Sequence, residues 1–290
     1  MTDFKSLSYK KHEKTYDLGL FDESLIVNKN SVNWYRHQRM YNTLNHLIEN
    51  DLESTWLAVG DGYYGHATNH ITSRGGNCLA TDISTDYLKK SKELGYIKEY
   101  LYANAEKLPF DDDAFDYSVV KESYHHFPRP MIALYEMLRV SRKGIALIEP
   151  NDAFMGNNVV RVFLRIIRAI FTTKKAERHR WETVGNYVYT TSRREIEKVA
   201  LGLNYRFIAF KGFNDYWIEG AENEMLGDKG PIGKKIFNTI NRQDLYCRFN
   251  LTDYALITSI ILKKEPSKEL IEKLKKDGFE TAILPSNPYA

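Results

Sequence analysis

Between Ser54 and Pro150 short apolar runs alternate with amphipathic stretches, and this rhythm restricts the fold more than any other feature of the chain. Ser54–Val59 (STWLAV), Asn77–Ile83 (NCLATDI), Tyr100–Ala105, Phe115–Val120 and Gly144–Glu149 (GIALIE) read as strands. The stretches between them at Tyr64–Ser73, Thr85–Gly95 and Pro130–Val140 read as helices. A strand that returns through a helix runs parallel to its predecessor, so the expected fold is α/β, a doubly wound, mostly parallel sheet with helices on both faces. The unbroken apolar character of GIALIE fits a strand covered on both sides. A further helix is expected just before the first strand. There Trp34, Met40 (or Tyr41), Leu44 and Leu47 share a face and Ser31 stands as N-cap.

Past Pro150 the rhythm breaks. The chain divides into an arm without periodicity (1–31), the alternating core (32–150), an inserted cap (151–190), the end of the core (191–264) and a charged, then loop-like tail (265–290). The end of the core holds a capped helix, Ser192–Leu201, and the strands Tyr205–Phe210 and Leu251–Leu262, separated by an insertion at 211–250. These last strands suit a seven-stranded sheet with an antiparallel edge strand. The chain of 290 residues, 43% hydrophobic, can bury such a core. A net charge of +3 is too small for a dedicated nucleic-acid binder, so no nucleic acid is expected. No apolar run is long enough to span a bilayer. No leader pattern is visible, and two cysteines far apart in sequence point to a reduced, cytoplasmic setting.

The first strand ends in Gly60-Asp61-Gly62-Tyr63-Tyr64-Gly65. Glycines at such a turn let the backbone approach a ligand while the next helix offers free N–H groups. Alone, the pattern fits a nicotinamide site equally well. Asp82, about twenty residues on at the end of the second strand, can accept both hydroxyls of a ribose; its other reading is a helix N-cap.

The stretch ANAEKLPFDDDAFDYSVV (Ala103–Val120) and its continuation KESYHHFPRPMIALYEMLRVSRKGIALIEP resemble class I, Rossmann-like S-adenosylmethionine (SAM)-dependent methyltransferases of the type 11 branch. The likeness covers Ser54–Pro150 and the helix and strand after Ser192. It implies SAM as cofactor and S-adenosylhomocysteine (SAH) as product. It further implies that Gly60 and Gly62 pass beneath the methionine part, Asp82 binds the ribose and Ile83 packs on the adenine. Asn104, Ala105 and Glu106 would hold the adenine edge, and Lys121 and Glu122 would border the sulfonium. Two features depart from the family: Ala58 replaces the usual acidic residue before the first glycine, and the third glycine comes one residue late, at Gly65. Asp61 is then a stand-in near the amino group of SAM, and Arg36, His37 or Tyr35 on the preceding helix are candidates for its carboxylate. An inactive, methyltransferase-like binding protein is the reading these departures leave open.

Methyl transfer needs an aligned nucleophile shielded from water, and a hydroxyl acceptor is served by a general base. His125 and His126, just after the fourth strand, are the candidates, with Glu122 and Glu149 as alternatives; packing under the following loop is the other reading of the histidine pair. The helix 159–171 sets Arg161, Arg165 and Arg168 on one face, suited to a phosphate-bearing acceptor, to peripheral contact with an anionic membrane, or simply to solvent. Tyr187 and Trp217, with Trp181, Tyr189, Phe213 and Tyr216, can wall a sugar-sized pocket or pack in the core. The expected acceptor is a small or saccharide-like molecule methylated at oxygen; a lipid-linked or nitrogen acceptor is the alternative. No metal site is expected.

Overall fold

The computed structural model describes residues 4–14, 17–152, 167 and 180–289. Its eight strands form one sheet: β1 (Thr55–Val59), β2 (Asn77–Asp82), β3 (Tyr100–Tyr102), β4 (Phe115–Lys121), β5 (Ser141–Pro150), β6 (Phe207–Phe213), β7 (Leu256–Leu262) and β8 (Glu280–Ile283). The spatial order is β3-β2-β1-β4-β5-β7-β6-β8. The first five strands are parallel to one another, and β7 runs antiparallel between β5 and β6. The expected α/β fold is therefore present, but with one strand more than the sequence suggested, and the reversed β7 lies inside the sheet. The edge is β8, antiparallel to β6. The tail expected to be loop-like holds both β8 and the helix Lys268–Lys276 before it. That helix buries Leu270, Ile271 and Leu274 at i, i+1, i+4 spacing, short enough to be masked by its lysines.

Alternation along the strands explains the two-sided core. Trp56 and Ala58 of β1, Val119 of β4 and Ala146 and Ile148 of β5 enter one apolar cluster; Leu57, Val59, Val120, Ile145 and Leu147 enter the other. Successive side chains point to opposite faces, so a strand covered on both sides must be apolar throughout. The first cluster is closed by the helices α3 (Val32–Tyr41) and α4 (Asn45–Asn50) and by the tail helix. Ser31 caps α3, its hydroxyl accepting the Trp34 N–H at 3.1 Å. The other cluster is closed by α7 (Pro130–Val140) and by the helix Arg193–Gly202. Ser192 and Glu195 cap the latter reciprocally. The insertion 211–250 contains an 18-residue helix, Pro231–Arg248, which the sequence reading left without structure. The arm contains α1 (Phe4–His12) and α2 (Ser24–Val27), and α6 (Asp86–Glu93) joins β2 to β3.

The strand order reverses direction between β1 and β4, and in such sheets ligands bind in the crevice beyond the carboxyl ends at that point. The loops that end β1, β2 and β4 start at Gly60, Ile83 and Glu122. All three converge there.

Candidate active site

The turn after β1 is shaped by close packing. Gly60 has φ +70°, and a Cβ there would lie 2.6 Å from the Ser123 Cβ. The Ser123 hydroxyl donates to the Gly60 carbonyl at 2.6 Å, joining the β1 and β4 loops directly. Gly65 (φ +72°) precedes the helix α5 (His66–Thr72), whose free N–H groups are taken by Asp61. The Asp61 carboxylate accepts from the Ala67 and Thr68 N–H groups at 3.1 and 2.9 Å and from the Thr68 hydroxyl at 2.8 Å. Burial pushes its pKa up to about 6 against those hydrogen bonds. Asp61 is thus a helix cap at the wall of the site.

Asp82 ties the next loop in. Its Oδ2 accepts the Gly62 N–H at 2.9 Å and its Oδ1 the Ser84 N–H at 2.7 Å. Burial raises its pKa above the usual carboxylate range even so. Both oxygens keep free lone pairs, and the carboxylate borders a cavity of about 350 Å³. Gly60, Ile83, Ala105, Phe127 and Pro128 supply apolar walls, with Asn104, Glu106, Glu122 and His126 on the same cavity. A nucleoside needs flat apolar walls and a carboxylate for its hydroxyls, and these residues meet that requirement. Asn104 closes a local turn, its Oδ1 accepting the Glu106 N–H at 2.9 Å. Glu106 is held by Arg129, through the backbone N–H at 2.8 Å and Nε at 2.6 Å.

A second chamber of about 190 Å³ is lined by His37, Tyr41, Gly60, Asp61, Tyr63, His66, Lys121, Glu122 and Ser123. Gly60, Glu122 and Ser123 border both cavities. Lys121 donates to His37 Nδ1 at 2.9 Å and to the Glu122 carboxylate at 2.6 Å. An ammonium can only donate, so His37 carries its proton on Nε2. Burial and the Lys121 charge hold His37 well below its ordinary pKa and take His66 down to about 3. Both rings are neutral at pH 7. Burial raises the pKa of Glu122, but the adjacent Lys121 outweighs it and keeps the carboxylate ionised. Glu122 has φ +50°, a left-handed conformation that turns its side chain off the end of β4.

The histidine pair divides. His125 faces inward, its Nδ1 2.6 Å from Oε2 of the fully buried Glu149, whose Oε1 accepts the Ser123 and Tyr124 N–H groups at 3.0 Å. His125 lines neither cavity. His126 borders the larger one, with Nδ1 2.7 Å from Glu182 Oε1. The structure does not bring Arg36 to either cavity: it is buried in an ion pair with Asp215 and donates to Asn33 Oδ1 at 2.8 Å. Asp215, in the insertion 211–250, is the carboxylate partner of Arg36 in place of the expected ligand carboxylate. Tyr187 packs edge-on against Trp181 and Tyr189, and Trp217 is exposed; neither reaches the cavities. Arg161, Arg165 and Arg168 lie outside the described residues. Tyr9, Lys11 and His12 of α1, together with Glu182, line the larger cavity without having been singled out from sequence. They sit in segments with no strand–helix rhythm, and only Ser123, within ESYHHF, stood in a motif.

Residues 57–148 match the family model described as "Methyltransferase domain". Among solved structures, the chain is similar to the YcgJ protein of Bacillus subtilis, at 17% identity over 79% of this chain and 100% of that one, with TM-score 0.48. It is similar to a SAM-dependent methyltransferase of Methanosarcina mazei at 15% identity, over 76% and 98% of the two chains, with TM-score 0.46. Magnesium protoporphyrin IX methyltransferase of Synechocystis PCC 6803, solved with bound SAH, matches at 12% identity over 89% and 95%, with TM-score 0.45. No curated protein matches the chain. The matched stretch runs from β1 to β5 and contains the glycine turn, Asp82 and Glu122, the residues gathered at the crevice. Residues 57–148 are a class I, Rossmann-like methyltransferase domain, and the chain is a methyltransferase that uses SAM as its methyl donor.

Proposed function

We propose that this methyltransferase acts on a hydroxyl of a small, saccharide-like acceptor, with the donor in the larger cavity and the acceptor in the chamber beside it. The observation that carries this reading is the shared border of the two cavities at Gly60, Glu122 and Ser123. SAM, when bound, supplies an electrophilic methyl group. In this reading Asp82 holds its ribose, Ile83 and Phe127 flank the base, and Asn104, Ala105 and Glu106 meet the adenine edge. Gly60 and Gly62 underlie its amino-acid part.

The chamber is smaller than a typical ligand pocket of roughly 300–1,000 Å³, which favours a compact acceptor or the tip of a larger one. Its walls carry groups capable of hydrogen bonds: neutral His37 and His66, Tyr63 and the Lys121 ammonium. Such groups match the hydroxyls of a sugar. Glu122, ionised at the join, accepts the hydrogen bond of the acceptor hydroxyl and receives its proton, while Lys121 and Ser123 fix the surrounding loop. His125 stands behind this loop as a positioning residue through Glu149. The buried free cysteines, Cys78 and Cys247, accord with a reducing compartment.

The test is Glu122→Gln. Removing a proton acceptor should lower turnover by about 10²–10⁴-fold, while SAH affinity measured by calorimetry stays within a few-fold of the parent. Turnover unchanged in this variant would reject Glu122 as the proton acceptor.

A further inference from the structure

His12, at the last position of α1, His126 after β4 and Glu182 in the inserted cap come from three separate parts of the chain and meet at the rim of the larger cavity. Their ligating atoms all lie within 4.8 Å of one another. Glu182 Oε1 is 2.7 Å from His126 Nδ1 and Oε2 is 3.1 Å from His12 Nε2. We propose that this trio is a divalent transition-metal site, of the kind that takes Zn²⁺, and that the bound ion pins the N-terminal arm across the donor cavity.

The donor set decides the class of ion. Two imidazoles and one carboxylate suit zinc and its neighbours, whereas magnesium and calcium seek oxygen ligands. Zinc holds such atoms at about 2.0–2.2 Å, so ligands around it stand roughly 3.4 Å apart. The two nitrogens already lie 2.7 and 3.1 Å from the carboxylate oxygens, within an ångström of that spacing.

Two of the three ligands are set in place beforehand. The Asn186 side chain donates to the His126 carbonyl at 2.8 Å, and the Asn186 backbone carbonyl accepts the Glu182 N–H at 2.7 Å. One residue thereby fixes the backbones of two ligands, the supporting arrangement that metal sites use to hold their geometry. The third ligand, His12, arrives on the arm, with its ring centroid 5.6 Å from that of His126. The His126 side chain is 41% exposed, which leaves an entry path and open positions for water. Lys11, 3.8 Å from the same carboxylate on a side chain 42% exposed, can swing to solvent when the ion enters.

The site itself does not depend on the proposed roles of the cavity, but the effect of the ion on donor binding rests on that reading. Two titrations on the full chain separate the two. Titrating the metal-free protein with Zn²⁺, and with Co²⁺ read by its absorption spectrum, should give one ion per chain in the absence of any nucleoside. His12→Gln and His126→Gln keep a side chain able to hydrogen-bond Glu182 but remove the imidazole, and each should weaken Zn²⁺ by about 100-fold, the upper end of what losing an outer partner alone does. His46→Ala, remote on α4, should bind as the parent does. Absence of saturable binding, or binding that survives both glutamine variants, would overturn the site and leave a histidine–carboxylate latch. In the second titration, SAH should bind at least about fivefold more tightly with Zn²⁺ than with chelator, and by linkage SAH should tighten Zn²⁺ equally. One ion bound with no change in SAH affinity would overturn the pinning.

Discussion

Glu149 has no solvent exposure, yet it faces His125 at 2.6 Å and two backbone N–H groups of the loop that ends β4. Burial pulls the His125 pKa down, but the Glu149 charge raises it further, and the net value lies above the ordinary one. A group whose pKa rises on folding adds stability that is complete below its unfolded value, near pH 6.5, and fades as the pH climbs through the folded value. Glu149→Gln should therefore cost about 3 kcal/mol at mildly acidic pH, and less at alkaline pH, in urea unfolding followed by circular dichroism. A cost that grows with pH would contradict the pair. The ribose role proposed for Asp82 is tested at the same scale. Hydrogen bonds from two ribose hydroxyls to this carboxylate would be charge-assisted, worth about 1.5–3 kcal/mol each, so Asp82→Ala should weaken SAH by at least about tenfold in calorimetry. Because Asp82 also receives the Gly62 N–H, Asp82→Asn should retain the turn and lose only part of the affinity; equal affinity in all three proteins would refute the ribose assignment.

Among the elements, β5 shows how a sheet imposes a residue. Gly144 pairs with Leu262 of β7, and a Cβ there would lie 2.3 Å from the Ile261 carbonyl oxygen. Neither backbone can withdraw, since β5 is paired on its other side with β4. Gly144→Ala should cost about 2 kcal/mol or more, read as a lower midpoint in guanidinium; an unchanged midpoint would mean that β7 shifts freely. The helices were the more readable elements. Ser31 and Ser192 are N-caps where the sequence placed them, and Pro130–Val140 matches the expected span. Caps and helical spacing are local properties. Strand ends were less readable: β5 begins at Ser141 and β7 only at Leu256. Pairing with a neighbour decides where a strand stops, and that neighbour is distant in sequence.

Over the whole molecule, the crevice is closed from outside by the arm. Tyr9, Lys11 and His12 line the larger cavity, proposed to hold the donor, and Glu13 accepts the Tyr102 hydroxyl at 3.0 Å beyond it. Among the described residues, the two large apolar clusters contain none of α1. Deleting residues 1–14 should therefore leave the circular-dichroism melt of the core nearly intact and weaken SAH on the order of tenfold, about 1.4 kcal/mol. A collapse of the melt would show that α1 belongs to the core. Among the described residues no helix is long and apolar enough to cross a membrane.

The sequence by itself determined the α/β class, the turn after β1, the placement of Asp82 at the end of β2 and of Glu122 just beyond β4. Each follows from a short stretch, where periodicity and the ends of apolar runs already locate the residue on the sheet's edge. It also marked Arg36 and the two histidines as candidates, without saying where their side chains turn. Only the tertiary structure decided that. Asp215 draws Arg36 away from both cavities, Glu149 draws His125 behind the loop, and Glu182 and His12 join His126 at the rim. The reversed β7 and the eighth strand belong to the same group of outcomes. A buried charge is oriented by whichever opposite charge folding brings beside it, and a strand by the neighbour that accepts its hydrogen bonds; both partners lie up to 179 residues away along the chain.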